Sequence, residues 1–150
     1  MASTRKATNY GDPFPTAPMA NVGMKREFEL TLAAAIVVND LFKLCPIKAV
    51  IPLVIDDYYV DVPDIDEATG SVIALGDNTT ADVFVTGSTK GRAAAIITPE
   101  VDGTKGVLPK LYTADNDFVL KCTTAPTTSA TTGVFRGWME YHHVGIASVL

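Results

Sequence analysis

Short segments that fit a β-strand recur along this chain about every ten residues, with turn-forming residues between them. The clearest case is Ser71–Thr86. Its two apolar runs are Val72–Leu75 and Val83–Val85, and Gly76–Thr80 lies between them. Val, Ile and Phe fit a pleated, half-buried surface, and Gly, Asp and Asn supply the backbone angles of a reversal. The segment therefore predicts two antiparallel strands joined by a loop.

Strict alternation of residue types marks two further strands. In Gly133–His143, Val134 and Trp138 fall on one face, and Phe135 and Tyr141 fall on the other. Arg26–Val38 begins in the same way, since every second residue from position 28 to 32 is apolar. The three alanines at 33–35 leave a helical start open as the alternative at that point.

Strand counting predicts an all-β fold of roughly eight strands, a jelly-roll-like β-sandwich over residues 25–150. Residues 1–24 have no periodic apolar face, and Pro13, Pro15 and Pro18 exclude a helix there. They are predicted to form an extended N-terminal arm. A chain of 150 residues is expected to make one domain without needing disulfides or metals.

Charge is unevenly distributed along the chain. The first 26 residues carry a net charge of +3 and the rest carry −8. This distribution favours an arm that reaches for an acidic neighbour, with the alternative that four basic residues are too few to indicate a partner. The overall charge of −5 argues against a general nucleic-acid binder. The longest apolar run, Leu32–Val38, is too short to span a membrane, and the N-terminus lacks the apolar core of a secretory signal. Synthesis in a bacterial or host cytoplasm is the expectation.

No metal site or cofactor is predicted. Cys45 and Cys122 have no metal-ligand spacing, and they are expected to be reduced core thiols, with a disulfide or a reactive site as the alternative. His142 and His143 would point to opposite faces of a strand, one to solvent and the other into an interface. An acidic cluster favours a solvated face over a calcium loop, because the EF-hand spacing is absent. It comprises Asp56, Asp57, Asp61, Asp64, Asp66 and Glu67.

No catalytic residue is assigned, because no Ser or Cys lies in a nucleophile motif and the sequence around Lys90 lacks the full phosphate-loop pattern. The chain is therefore expected not to be an enzyme. The alternative is a hydrolase or sugar-binding module that uses Tyr59 with Asp57 and Asp61, or His142 with a carboxylate. Strand aromatics such as Trp138 are usually core, but an interface or a sugar platform remains open.

The chain is therefore expected to bind a partner through two sets of residues. The arm and its base would contribute Tyr10, Phe14, Met19, Lys25 and Arg26. The last strand would contribute Phe135, Trp138 and Tyr141. Deleting residues 2–22 is expected to leave the sandwich folded, because the core begins at Phe28.

From Leu41 onward, short strands and turns follow one another in a recognisable order. The segments that carry it are Leu44–Pro46, Tyr59–Val62, Val72–Asp82, Tyr112–Asp117 and Gly137–Tyr141. This order resembles small β-sandwich proteins encoded beside the major capsid protein of tailed bacteriophages, the head decoration or cement proteins. The resemblance covers about two-thirds of the chain and consists of turn chemistry and strand spacing. The family often has Gly-Asp where this chain has Asn39-Asp40.

The resemblance implies a virion protein that binds the major capsid protein on the outer shell surface, commonly as a homotrimer, and stabilises the shell against genome pressure. A head–tail joining or tail structural protein is the alternative within the same class. Fold alone does not fix function, so these are expectations.

Overall fold

The computed structural model describes residues 2–11, 23–66, 68, 70–104 and 106–144. In this part of the chain there are ten strands and a single 3-10 turn, Lys90–Arg92. The strands are β1 (Thr4–Lys6), β2 (Met24–Thr31), β3 (Leu41–Ile47), β4 (Leu53–Val62), β5 (Val72–Asp77), β6 (Val85–Ser88), β7 (Ala95–Ile97), β8 (Lys110–Tyr112), β9 (Asn116–Thr124) and β10 (Val134–His143).

The strands form two sheets packed face to face, so the predicted all-β sandwich is confirmed. One sheet has the order β1-β3-β9-β5-β6, and the other has the order β2-β10-β4-β7 with β8 paired to β4. The β1–β3 pair is parallel and the other named pairs are antiparallel. No helix of the described part is long and apolar enough to cross a membrane.

The core lies between the sheets, where the inward residues of each strand meet. On β2 and β4 the buried side chains alternate with exposed or half-buried ones, as the period-two pattern predicted. Phe118 of β9 lies at the centre of an aromatic cluster, with ring centroids 6.1 Å from Phe28, 5.9 Å from Tyr58 and 5.7 Å from Phe84. Offset and tilted ring pairs at these distances stabilise the core beyond the area they bury.

The predicted central pair is present as β5 and β6, and an Asx-type loop connects them. The Asp77 carboxylate accepts hydrogen bonds from the amides of Thr79 and Thr80 at 2.8 and 2.7 Å. The hydroxyl of Tyr112 donates to its other oxygen at 2.7 Å. Gly76 lies directly beneath the loop, because a Cβ there would be 2.2 Å from the carbonyl oxygen of Thr80.

Strand β3 continues through Cys45-Pro46 to Ile47. Because β1 pairs only with residues 41–43, the proline lies beside an open edge that needs no donor. The predicted strand over Arg26–Val38 is shorter than expected, since β2 ends at Thr31. The alanines at 33–35 are not helical either, and they lie in an irregular connection that reaches Asn39, whose φ is 68°.

Both cysteines are free and buried, so the disulfide alternative is wrong. Burial raises the pKa of the Cys45 thiol, and it raises that of Cys122 to about 11. A thiol of raised pKa holds little of the reactive thiolate at neutral pH. Both side chains therefore act as small core residues.

The N-terminal segment is part of the sandwich, which corrects the arm assignment for residues 2–11. Strand β1 pairs with β3, and the Ala7 amide continues that ladder to the Lys43 carbonyl at 2.9 Å. The Thr8 amide then crosses to the other sheet and donates to the Glu29 carbonyl at 2.6 Å. Residues 2–11 thus cover an edge strand of each sheet, a common way to protect open edges.

Asp40 fixes this segment at its start. Its carboxylate accepts from the Ser3 amide at 2.5 Å, the Val37 amide at 3.0 Å and Arg5 Nη2 at 3.0 Å. Burial alone would raise the pKa of Asp40, but these hydrogen bonds and the Arg5 charge hold it below the usual value. Because Asp40 needs the N-terminal residues as partners, the segment is tied to the body of the fold.

Candidate partner-binding face

The outer face of the β2-β10-β4-β7 sheet carries three cross-strand rows of side chains. In the middle row Trp138 pairs with Glu27 on one side and with Tyr59 on the other. The rows above and below are charged. One of them contains Glu29, Arg136 and Asp61, and the other contains Lys25, Glu140 and Asp57. We call this surface the aromatic face.

The rings of Tyr59 and Trp138 lie nearly parallel, with centroids 6.0 Å apart and planes 12° from each other. Both side chains are only half-buried. Lys25 Nζ lies 3.9 Å from the Trp138 ring centroid, which is a cation–π contact. An aromatic pair inside a rim of charged groups is the composition expected at the centre of a protein interface.

Two irregularities in the backbone shape this face. Strand β4 has one extra residue opposite Glu140–Tyr141, so that Asp56 and Asp57 are both partly exposed. On β10, Gly137 lets the strands approach closely, because a Cβ there would be 1.9 Å from the Tyr59 carbonyl oxygen and 2.8 Å from Phe28. Glycine is thus required beside the aromatic pair.

The aromatic face has an excess of negative charge. Its three rows contain five carboxylates and two basic side chains. Glu29 pairs with Arg136 at 3.0 Å, and Glu140 pairs with Lys25 at 3.6 Å. The other three acids have no Lys or Arg nitrogen within 4.0 Å in the described part of the chain. They are Glu27, Asp57 and Asp61.

Shallow depressions lie on both sides of the aromatic pair. The one toward β2 has a volume of about 480 Å³ and is lined by Glu27, Glu29 and Arg136 with both rings. The one beyond β4 has a volume of about 200 Å³ and is lined by Asp57 and Glu100 with both rings. A partner side chain can therefore reach the aromatic pair from either side.

Of the predicted partner-binding residues that the structure describes, two lie on this face, Lys25 and Trp138. Phe135 and Tyr141 were wrongly assigned, because both are fully buried on the inner side of β10. There the ring centroid of Phe135 lies 5.3 Å from that of Phe42. Arg26 also points inward, and its Nη2 donates to the Asn9 carbonyl at 2.7 Å.

The predicted arm residues have a different outcome. Tyr10 packs against the core, and its hydroxyl donates to the Asp117 carboxylate, so it anchors the N-terminal segment in its own subunit. Burial, followed by the bond to Asp117, raises the pKa of Tyr10 above its ordinary value. Phe14 and Met19 lie outside the described residues.

The two histidines and Asp66, which sequence analysis considered for metal binding, make contacts within this chain. His142 Nδ1 lies 2.5 Å from Asp56 Oδ2. His143 is buried, with its Nδ1 3.3 Å from the Ile51 carbonyl oxygen, so it packs inside its own subunit and not in an interface. Asp66 Oδ2 accepts from the amide of Ser71 at 2.6 Å. Among the described residues no group of three His, Cys, Asp or Glu side chains could hold a metal ion.

Sequence reasoning missed the acidic side of this face. Glu27 was not proposed as a functional residue, and Asp61 was assigned only to the rival hydrolase or sugar-binding site. Tyr59 was grouped with the strand aromatics, for which core packing was expected and an interface or a sugar platform was left open. The signal was available in part, because Glu27 and Tyr59 occupy the outer positions of alternating strands. Their placement beside Trp138 depends on strand pairing that alternation alone does not give.

No protein-family model and no curated protein sequence matches this chain. Solved structures do match. A chain of the capsid of Ralstonia phage GP4 superposes with a TM-score of 0.79 at 17% identity, covering 95% of this chain and 99% of that chain. A chain of the cyanophage Pam1 capsid asymmetric unit gives 0.64 at 18% identity, covering 92% and 99%.

A third match is a chain of the acidic stable capsid structure of Helicobacter pylori bacteriophage KHP30, with a TM-score of 0.52 at 12% identity, covering 83% of this chain and 90% of that chain. The likeness is one of fold. At these identities the individual side chains of the aromatic face are not carried over from one chain to another, and their role has to be argued from this structure.

Proposed function

We propose that this chain is a structural protein of a bacteriophage virion that binds the outer surface of the capsid and stabilises the shell, as a decoration or cement protein. The observation that carries the proposal is the likeness to the GP4 capsid chain, which extends over 95% of this chain and 99% of that one. It covers nearly the whole chain rather than a shared hairpin. The second and third matching chains also come from phage capsids.

The strand order supports the jelly-roll form of this proposal. Without the three-residue strands β1 and β8, the sheets read β2-β10-β4-β7 and β3-β9-β5-β6. In one sheet β2 pairs with β10, and in the other β3 pairs with β9. Strands from the two ends of the sequence thus lie side by side, as in two nested Greek keys. The same architecture serves many functions, so it supports the proposal without carrying it.

The major capsid protein is the proposed partner, and a homotrimer is the proposed form on the shell. The aromatic face supports an interface role, because a half-buried Trp138–Tyr59 pair within a charged rim is suited to exclude water on contact. Segment 12–22, with Phe14 and Met19, remains a second proposed contact. Its flanks are held by Tyr10 and by strand β2. The proposal assigns no catalytic step, metal or cofactor to the chain.

Co-sedimentation with purified shells that lack this protein tests the proposal. We expect the full chain to pellet with shells saturably and to raise the temperature at which they release their DNA. Light scattering of the free protein checks the trimer. A protein that stays in the supernatant at all concentrations would overturn the capsid proposal. Ring-shaped oligomers in negative stain would favour the head–tail joining alternative.

A further inference from the structure

We propose that the aromatic face binds a basic segment of its protein partner, with an Arg or Lys side chain over the Tyr59–Trp138 pair and neighbouring basic groups on Glu27, Asp57 and Asp61. This inference rests on the proposed function for the identity of the partner. The chemistry of the site is argued from this chain alone.

One cation already lies against the Trp138 ring of the aromatic face. Lys25 Nζ lies 3.9 Å from the Trp138 centroid and 3.6 Å from Glu140 Oε2. One ammonium group thus makes a cation–π contact with an aromatic ring and an ion pair with a carboxylate at the same time. The depression beyond β4 offers the same pair of groups, with Tyr59 and Trp138 next to Asp57 and Glu100, and no described Lys or Arg pairs with these two acids. A partner's basic side chain would complete it.

The negative charge of the aromatic face is complementary to a basic partner. Glu27 is adjacent to Trp138, and Asp61 is the cross-strand neighbour of Arg136, which is itself paired to Glu29. Glu27 and Asp61 have no Lys or Arg nitrogen within 4.0 Å among the described residues. Such carboxylates are best matched by a partner of opposite charge, which also fixes the register of docking. An acidic or neutral partner would leave them unpaired at the interface.

The shape of the surface suits an extended segment of a partner. Two depressions of about 480 and 200 Å³ flank the aromatic pair, and neither is an enclosed cavity. Tyr59 and Trp138 line both of them. A surface of this form accepts side chains that project from a segment lying across it, with the two rings between successive positions. Arg combines a planar group that stacks on aromatic rings with donors for carboxylates.

Trp138 is the only tryptophan of the chain, so its fluorescence reports directly on this face. The full-length protein is titrated with hexa-arginine, hexa-glutamate and a neutral oligosaccharide, cellohexaose. We expect a saturable change in Trp138 emission with hexa-arginine only. Glu27→Gln and Asp61→Asn should each weaken that binding about threefold to tenfold. Asp82→Asn is the matched control, because it removes the same charge from an exposed loop away from the face, and it should bind as the wild type does.

If Asp82→Asn weakens hexa-arginine binding as much as the other two substitutions do, the peptide binds through the overall charge of the protein, and the inference is wrong. A saturable response to cellohexaose alone would replace it with a sugar site. The shell experiment separates the two proposals. If Glu27→Gln and Asp61→Asn co-sediment as tightly as the wild type, the basic-segment inference fails while the capsid proposal stands. If hexa-arginine binds at Trp138 but the protein does not co-sediment with shells, the capsid proposal fails.

Discussion

Asp66 shows how one carboxylate can organise a loop. Its two oxygens accept from the amides of Ala68 and Thr128, and from those of Gly70 and Ser71, at 2.6 to 3.2 Å. Burial would raise the pKa of Asp66, but the amides of these four residues lower it to about 2. The residue that sequence analysis placed in an acidic cluster is thus a bridge between two loops.

Acid should therefore weaken the fold through Asp66. Between about pH 4 and pH 2 the unfolded chain binds a proton at this residue and the folded protein does not, so the free energy of unfolding falls as the pH is lowered through this interval. Urea unfolding across this range should show a shallower pH dependence for Asp66→Asn than for the wild type. Asp82→Asn, at an exposed position, should keep the wild-type slope. Identical slopes for all three proteins would contradict this account.

Gly137 is the residue on which the geometry of the aromatic face depends. Gly137→Ala should destabilise the protein by about 1–3 kcal/mol, because the added methyl group overlaps the Tyr59 carbonyl and the Phe28 ring. It should also shift the emission of the neighbouring Trp138. Chemical denaturation measures the first effect, with Gly11→Ala as control, since a Cβ at Gly11 meets nothing within 4 Å. A Gly137→Ala protein of wild-type stability would show that the strands can separate without cost.

The N-terminal segment shows how a short element can complete two sheets. Strand β1 is only three residues long, yet it pairs with β3 and leads to Thr8, which bonds to β2. Its holding contacts are polar, chiefly those to Asp40, with Ala7 buried at its end. A segment held in this way is a structural part of the sandwich.

Deleting residues 2–7 should consequently destabilise the protein by at least about 2 kcal/mol, since Asp40 would lose its Ser3 and Arg5 partners and β3 would lose its pairing with β1. The open β3 edge should also promote self-association. Thermal unfolding and analytical ultracentrifugation measure the two effects. Removing only the first two residues is the control, because Ala2 is exposed. A deletion variant that stays stable and keeps its association state would restore the free-arm interpretation.

The alternating strands could be predicted from sequence because their pattern is local. Strand β10 was divided correctly into two faces, and Phe135 and Tyr141 are on the face opposite to Trp138. They were nevertheless proposed as partner-binding, since aromatic size alone does not tell which face is covered by the second sheet. Strand β1 gave no signal, because three residues with two charges show no periodicity.

At the scale of the whole molecule, the described residues form a sandwich with its core between the sheets and an acidic aromatic face on the outside. Its fold is shared with phage capsid chains over most of its length, and its acidic aromatic face is argued from this chain's own residues. Trp138→Ala should therefore leave the fold intact, because the ring is half-buried on the outside, and reduce binding to shells by at least about tenfold. Circular dichroism and co-sedimentation check the two parts, with exposed Thr123→Ala on the opposite sheet as control.

The most direct test of the capsid proposal is a cryo-electron microscopy reconstruction of purified shells incubated with this protein. The account predicts added density at regularly repeated positions on the outer surface, into which the sandwich fits with Trp138 and Tyr59 toward the shell. Density confined to a single vertex as a ring, or shells that remain bare at saturating protein, would contradict it.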